Sequence, residues 1–575
     1  MKLLKTIALA IVVLSISISS FAQETTGLGI TMPAKKIISG GREFAFQRPV
    51  DFPEIVRQLA DGPYDGISLG FDGVSLEDST IKASIGNAWK SPKWKKEWFK
   101  KDAEILKNTP KGKLTDNYVR VYFNTAIDSK EPAKDRLKWD NDEQWATFAN
   151  NLSVLAWYVK EAGFKGIILD PEDYSRSQQY FWKPSDGDYV NTCKLARKRG
   201  AELMSAMTKE YPDITLFFFW FTALRKNIVQ SENPDIATAQ AKDLWIPMVN
   251  GMLDKITPEA KIIEGYENYH LQGAEYNVNY RFINNNALNL IAPENKTKYR
   301  SQVLYSPAVY MTMFTSNPSS GYYFPPLNGS RTSRFLSVMK DALDVSEQYV
   351  WIWSEGGKMR PWKPKNGKLA NYKFFEELLP GTEMAMKLAK NPIEQGKAEL
   401  KELKAQGKAV NLAKNSDMSM QPSPSDVIGA PADKWTTGVA PAGFAIYGNS
   451  QGFSQDTTTG FNDKFSAKAT GVNGGFIQTI NVKPFEWYVV EVLGKKTGGY
   501  MSATIRWKTA DGKWMKTYED IDFYFLDDAG NGWNKATGTA RVPEGAGQMV
   551  VLLSTTNKSA TEASWFDDLG IYQIR

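Results

Sequence analysis

Three acids crowd one short stretch of this chain. Asp170, Glu172 and Asp173 follow the apolar run GIIL at residues 166–169 and flank Pro171 in GFKGIILDPEDY, residues 163–174. Carboxylates gathered where a buried strand ends repel one another, and that cost needs a reason. Asp170 and Glu172 are two apart, so in an extended chain they point the same way. Such a pair suits general acid/base work, in which one acid stays protonated through burial and like-charge neighbours while another stays ionised. Other acids end other apolar runs: Asp72 after GISLGF, Glu264 and Glu267 in KIIEGYE, and Glu355 after YVWIWS. A lone D-x-E reads most simply as a loop, with Asp173 capping a helix; the presence of acids at four strand ends shifts the balance to catalysis. Glu172 is the expected acid, crowded by Asp170 and Asp173. Glu355 and Glu267 compete for the ionised partner. Their separation from the acid would set the outcome, about 5–5.5 Å for retention and about 6.5–9.5 Å for inversion of a glycoside. Glu264 is expected inside its strand and Glu267 at the mouth.

The residue census removes competing chemistries. With one cysteine, Cys193, and one histidine, His270, the chain has no Cys/His zinc set and no intramolecular disulfide. It has no G-x-S-x-G elbow, no phosphate-binding G-x-x-x-x-G-K-[ST] and no strand-borne G-x-G-x-x-G. What remains is carboxylates, tyrosines, lysines and arginines, so no cofactor is expected for catalysis. Residues 1–22 read as a signal peptide: Lys2 and Lys5, an apolar core over residues 6–18, and small residues at Ser20 and Ala22 before the cut. Removing Lys2 and Lys5 and no acid takes the formal charge from +6 to +4. No second apolar stretch is long enough for a bilayer. The expectation is an exported bacterial protein, periplasmic or secreted, for which glycosidic bonds are the commonest substrate of carboxylate chemistry.

The acids need elements to carry them. Short apolar runs at 35–44, 66–72, 118–124, 166–169, 214–221, 261–267, 309–314 and 349–355 alternate with helical patterns at 51–60, 144–162, 191–211, 243–256 and 334–348. Strands alternating with helices argue a parallel sheet, and eight such units over about 350 residues fit a (β/α)₈ barrel. The acid-bearing strands are the second, fourth, sixth and eighth, and alternate strands share side-chain layers in such a barrel. Residues 23–395 are therefore expected to form an α/β TIM barrel, and residues 396–408 a solvated helical linker. Residues 409–575, with short alternating runs and turn pairs such as Asp511-Gly512, are expected to form an all-β sandwich or jelly roll.

Aromatic residues crowd the same loops. Tyr174, Trp220, Tyr266, Tyr269, Trp353 and Trp362 are expected to stack on sugar faces, with Asp72 and His270 hydrogen-bonding hydroxyls, against the plainer reading of core packing and a structural histidine. Trp89, Trp94 and Trp98 in the long 73–117 connection are open between sugar stacking and structure. The basic run KSPKWKKEWFKK at 90–101 has the look of a nucleic-acid or anionic-polysaccharide contact. The signal peptide argues against nucleic acid, and a solvated basic face is the plainer reading.

The stretch Gly166-Ile167-Ile168-Leu169-Asp170-Pro171-Glu172 resembles the fourth-strand D-x-E signature of chitinase-like family 18 glycoside hydrolases. That resemblance implies Glu172 as the acid and Asp170 as the assistant of an N-acetyl group. Tyr266 and Trp351 or Trp353 are similar to that family's pocket residues. The two earlier aspartates of the motif correspond to Lys165 and Ile168. The C-terminal residues Asn411-Leu412-Ala413-Lys414-Asn415-Ser416-Asp417-Met418 resemble the opening strand of carbohydrate-binding modules of the family 4/9 and 22 type, and Trp565-Phe566-Asp567-Asp568-Leu569-Gly570-Ile571-Tyr572 their close. This implies a galactose-binding-like fold with a structural calcium near Asp567. The leading expectation is an exported glycoside hydrolase acting on a polysaccharide or oligosaccharide. The alternatives are a non-catalytic glycan-binding protein on the same scaffold and a polysaccharide lyase using a Tyr or Lys base. Oligomeric state is not readable.

Overall fold

The computed structural model describes residues 35–40, 48–84, 86–90, 92–124, 130–174, 176–355, 359–362, 373–421, 435–436, 440–448, 452–557 and 559–575. The expected signal peptide lies outside the described residues. The chain divides into two units, one of residues 1–313 with 341–375, the other of residues 314–340 with 376–575.

In the first unit the described residues form one curled parallel sheet of nine strands: Lys36–Ser39, Gly66–Leu69, Tyr118–Tyr122, Gly166–Asp170, Thr215–Phe218, Lys261–Glu264, Val303–Tyr305, Ala308–Tyr310 and Tyr349–Trp353. Ala308–Tyr310 lies at one edge, followed by Tyr349–Trp353, Lys36–Ser39 and then the others in chain order to Val303–Tyr305. The two edge strands are thus chain neighbours separated by Ser306 and Pro307. The seventh strand expected at 309–314 starts earlier and breaks in two, because Pro307 removes a ladder donor. Val303–Tyr305 pairs with Lys261–Glu264, Ala308–Tyr310 pairs with Tyr349–Trp353, and Thr312–Thr315 is a helical turn.

Most strand residues are buried on both faces, which is why the sequence shows continuous apolar runs rather than alternation. The helices Phe52–Leu59, Asp142–Glu161, Tyr189–Glu210 and Trp245–Lys255 fall within about two residues of their expected positions. Asn141 and Asp188 cap two of them by accepting the backbone N–H of Gln144 at 3.0 Å and Asn191 at 2.9 Å. The helices Tyr189–Glu210 and Trp245–Lys255 pack on each other through paired glycines. A Cβ on Gly200 would stand 2.0 Å from the Met248 carbonyl oxygen, and one on Gly251 1.8 Å from that of Arg197.

Inside the curl the rings stack in layers. Tyr118 meets Phe217 at 5.9 Å and Tyr349 at 6.0 Å, and one layer higher Trp351 lies flat on Phe219 at 4.5 Å and 3°. Trp351 and Trp353 both sit on the strand Tyr349–Trp353. They are two apart, so both face inward, their rings 5.8 Å from each other.

The long connection after the second strand is structural. Asp72–Val74 and Lys82–Ser84 form a small hairpin, and Trp89 and Trp94 are buried, Trp94 against Phe71 at 5.6 Å and Phe99 at 5.7 Å. Four lysines of its basic run are paired: Lys90 with Asp135, Lys95 with Glu77, Lys96 with Glu210, Lys100 with Glu97. Sugar stacking at Trp89 and Trp94 is thereby replaced by core packing. Among the described residues no helix is long and apolar enough to cross a membrane.

In the second unit the described residues form two six-stranded antiparallel sheets. One runs in the order Trp435–Thr436, Ala445–Gly448, Asn473–Asn481, Ala546–Thr556, Tyr500–Thr509, Ile521–Phe523. The other runs Phe453–Asp456, Ser466–Thr470, Ala563–Gln573, Trp487–Lys496, Trp533–Arg541, Asp527–Gly530. Alternate residues of both, among them Val490, Val492, Phe566, Ile571, Ile505, Trp507, Val551 and Leu553, form one core, so this is a β-sandwich. The helix Pro392–Ala405, expected as a solvated linker, packs on the sandwich. A Cβ on its Gly396 would stand 2.6 Å from Thr539 Oγ1, and Lys404 pairs with Glu491 at 2.7 Å. Trp487 and Trp533 are buried, while Trp514 is exposed beneath Arg506 and Lys508, each 4.5 Å from its ring.

Candidate active site

The inner layers end in charge. Arg120 and Tyr122 project to the same side of Tyr118–Tyr122, and the Arg120 guanidinium is enclosed by the rings of Phe219 at 4.9 Å, Trp353 at 5.0 Å and Tyr122 at 5.1 Å. Its Nη2 donates to Asp170 Oδ2 at 2.6 Å, an ion pair of two buried side chains. Burial opposes the charge on Arg120, but Asp170 and its neighbours outweigh it, and the pKa lies above the ordinary value. Asp170 also accepts the Glu172 N–H at 3.2 Å, which folds the chain over Pro171. Asn124, at the end of the neighbouring run, donates to the carbonyl oxygens of Asp170 and Glu172 and fixes that turn.

Glu172 accepts the Tyr174 hydroxyl proton at 2.7 Å. Burial first, and the Asp170 charge second, push its carboxyl up to about 7, against the opposing pull of Tyr174, Trp220 and Arg120. The Trp220 indole N–H is buried and, although directed toward Glu172, closes no hydrogen bond of normal geometry. Glu267 accepts from the Tyr310 hydroxyl through Oε1, while its buried Oε2 has no hydrogen-bond partner among the described residues. Burial, then the charges of Glu172 and Asp170, raise it well above the carboxylate range. The Glu172 charge raises Glu267, so the two titrations are linked, and burial favours the protonated forms of both beside the Arg120–Asp170 ion pair.

The acids expected to converge do so in part. Asp170, Glu172 and Glu267 share one site. Glu355 stands beside it: its N–H donates to Thr312 Oγ1 at 3.0 Å, its carboxylate accepts from Trp353 Nε1 at 3.4 Å, and its charge reaches Tyr310. Asp72 does not join them. It opens the outer hairpin, is exposed, and acts on Asp102 and Tyr158 of the helical layer, because the chain leaves the sheet at Leu69 rather than at Asp72. Glu264 is fully buried and accepts the N–H groups of Phe221 and Ala223 at 3.0 and 2.9 Å and the Thr222 hydroxyl at 3.1 Å, so it clamps the loop that starts at Trp220.

Of the expected aromatic contacts, Tyr174 is exposed at the acid, and Trp220 lies 5.6 Å from the buried Tyr266. Tyr269 packs at a tilt against Tyr310, ring centroids 5.0 Å apart, and against the exposed His270 at 4.3 Å. Trp353 is buried under Arg120 and Trp362 is buried, so neither offers an open face to a sugar. Arg120 and Tyr310 escaped the sequence reading. The one available signal was a lone cation inside the otherwise uncharged run YVRVYF.

In the sandwich, the Asp567 carboxylate accepts the N–H groups of Phe461 at 2.7 Å and Asp568 at 2.8 Å, and burial brings it up to about 7. Among the described residues no group of three or more acidic, histidine or cysteine side chains is placed to hold a metal ion.

No family model matches the chain, and no curated protein is similar to it. Solved structures with partial likeness include the enzymatically active domain of tailspike protein 4 of bacteriophage CBA120 (15% identity, 28% of this chain and 21% of that one, TM-score 0.19). A second is the module TmCBM61 in complex with β-1,4-galactotriose (11%, 28% and 99%, TM-score 0.20). A third is the C-terminal family 22 carbohydrate-binding module of Clostridium thermocellum Xyn10B (13%, 26% and 92%, TM-score 0.18). The chain spans about a fifth of the tailspike domain's length. Superpositions this partial decide neither the fold nor the chemistry, which rest on the geometry above.

Proposed function

We propose that this is an exported glycoside hydrolase whose curled sheet closes into a (β/α)₈ barrel, acting on an oligo- or polysaccharide. The single observation that carries the reading is the meeting of Glu172 and Glu267 with the Arg120–Asp170 pair at the carboxyl ends of the strands. Closure is supported by residues 303–310, which reach one neighbour before Pro307 and the other after it. In this reading the Glu172 proton passes to the leaving glycosidic oxygen as the bond to the anomeric carbon breaks. The positive charge that develops there faces Asp170, which Arg120 holds as a carboxylate. Water then adds to the anomeric carbon and its proton returns to the carboxylate pair. Tyr174 steadies Glu172, and the aromatic walls keep the site dry enough for these charges to act strongly.

The test is the pH dependence. An acid that must be protonated works below its pKa and fails above it, so kcat/KM on a cleaved oligosaccharide is expected to hold below about pH 7 and then fall about tenfold per unit. The limb belongs to the Glu172–Glu267 pair rather than to one residue. A profile flat to pH 9 rules Glu172 out as the acid.

A further inference from the structure

Beyond Glu172, a wall of neighbouring side chains leads from Trp220 to Tyr266 and on to Lys226. Tyr266 takes φ +39°, a strained conformation for a non-glycine residue, and it aims its phenol into this wall. That phenol donates to Asn279 Oδ1, and Asn279 in turn donates to the Glu275 carbonyl oxygen at 2.7 Å. Its oxygen is left to accept Lys226 Nζ at 3.0 Å. The ammonium also sits 5.7 Å and 5.9 Å from the rings of Tyr266 and Phe282.

Lys226 is half-buried, and among the described residues its acceptor is this neutral phenol, whereas the adjacent Arg225 is paired with Asp243. A lysine ammonium has three N–H donors, so two remain. A partly desolvated cation without a counter-ion is unfavourable unless an anion arrives. The unpartnered Trp220 N–H lies on the same wall, between Glu172 and Tyr266. The Glu264 clamp on Phe221–Ala223 holds the start of the loop that carries both donors. The acids repel an incoming anion less than three free carboxylates would, since Asp170 is paired with Arg120 and burial favours the protonated forms of the other two.

We infer that Lys226 and the Trp220 N–H form an anion subsite, so that the sugar unit beside the cleaved bond bears a carboxylate or a sulfate ester. This rests on the glycosidase reading and narrows its substrate to an anionic glycan. Charged and charge-blocked pairs test it: oligogalacturonates with their methyl esters, glucuronoxylan oligosaccharides with carboxyl-reduced counterparts, and sulfated with desulfated galactan oligosaccharides. Each is titrated calorimetrically into the wild-type chain, K226M and K226R, and offered for hydrolysis to the wild type and E172Q. At least one charged member is expected to bind the wild type better than its blocked partner. K226M should cut that ratio by about 10- to 100-fold, the worth of a hydrogen bond to a charged group, with K226R keeping most of it. Which pair shows the preference tells carboxylate from sulfate. No charged preference in any pair, or a preference that survives in K226M of unchanged melting temperature, overturns the subsite. Glu172-dependent hydrolysis without charge preference sinks the subsite alone. A Lys226-dependent preference without hydrolysis sinks the glycosidase reading alone.

Discussion

Turnover should fall about 10³-fold when Glu172 is replaced by Gln, with the Kd for an uncleaved oligosaccharide changed only a few-fold. Gln keeps the shape and can still accept the Tyr174 hydroxyl, but it has no proton to give the leaving oxygen. Loss of a positioned general acid costs about 10²–10⁴ in rate, and a loss confined to kcat marks an interaction made only in the transition state. Above pH 7 the variant should also fold at least as well as the wild type. There the buried carboxyl is forced to ionise beside Asp170, and Gln removes that repulsion. Steady-state kinetics, calorimetric binding and thermal melts at pH 8 check all three. Turnover retained within tenfold assigns the acid elsewhere, and loss of binding together with turnover reduces Glu172 to a binding role.

The second large effect concerns Arg120. Arg120→Met removes the cation that neutralises Asp170 in an enclosed site already holding Glu172 and Glu267. Breaking a buried ion pair from one side typically costs about 3–5 kcal/mol, because the surviving charge is left uncompensated. The expected result is a urea midpoint lowered accordingly at pH 8, together with lost activity. Adding Asp170→Asn should recover most of the stability and none of the activity, since the uncompensated charge is gone but so is the carboxylate that the proposed mechanism sets against the anomeric carbon. If R120M alone unfolds no more easily than the wild type, the pair is not what holds this end of the sheet together.

Much of the frame could be read from patterns of residues. The runs at 118–124, 166–169 and 261–267 showed no alternation because strands covered on both faces have none, and the helical stripes between them gave the parallel order. The D-P-E corner and Glu267 were legible because acids at strand ends are expensive without a purpose. Arg120 was not. A cation in mid-strand reads as an exposed edge until Asp170 and the rings of Phe219 and Trp353, all from distant segments, enclose it beside its own neighbour Tyr122. Asp72 misled for the opposite reason: it follows an apolar run, but the strand ends three residues earlier and the chain turns outward into a hairpin. The Ser306–Pro307 break hid half of a strand in what reads as a connection. Trp89 and Trp94 lie among lysines whose pairing partners, Glu77, Asp135 and Glu210, come from other parts of the chain.

The seating of Pro392–Ala405 on the sandwich bears on how this chain can be divided. Composition changes near residue 409, yet Gly396 is pressed onto Thr539, and Arg575 is tied back to Glu399 at 3.1 Å. Excising the C-terminal module at the compositional boundary would strip a sheet of its cover and leave Glu491 and Arg575 without those partners. A protease that nicks the chain after the helix would do the same. The autonomous piece therefore starts no later than Asn391, inside what reads as the tail of the catalytic domain.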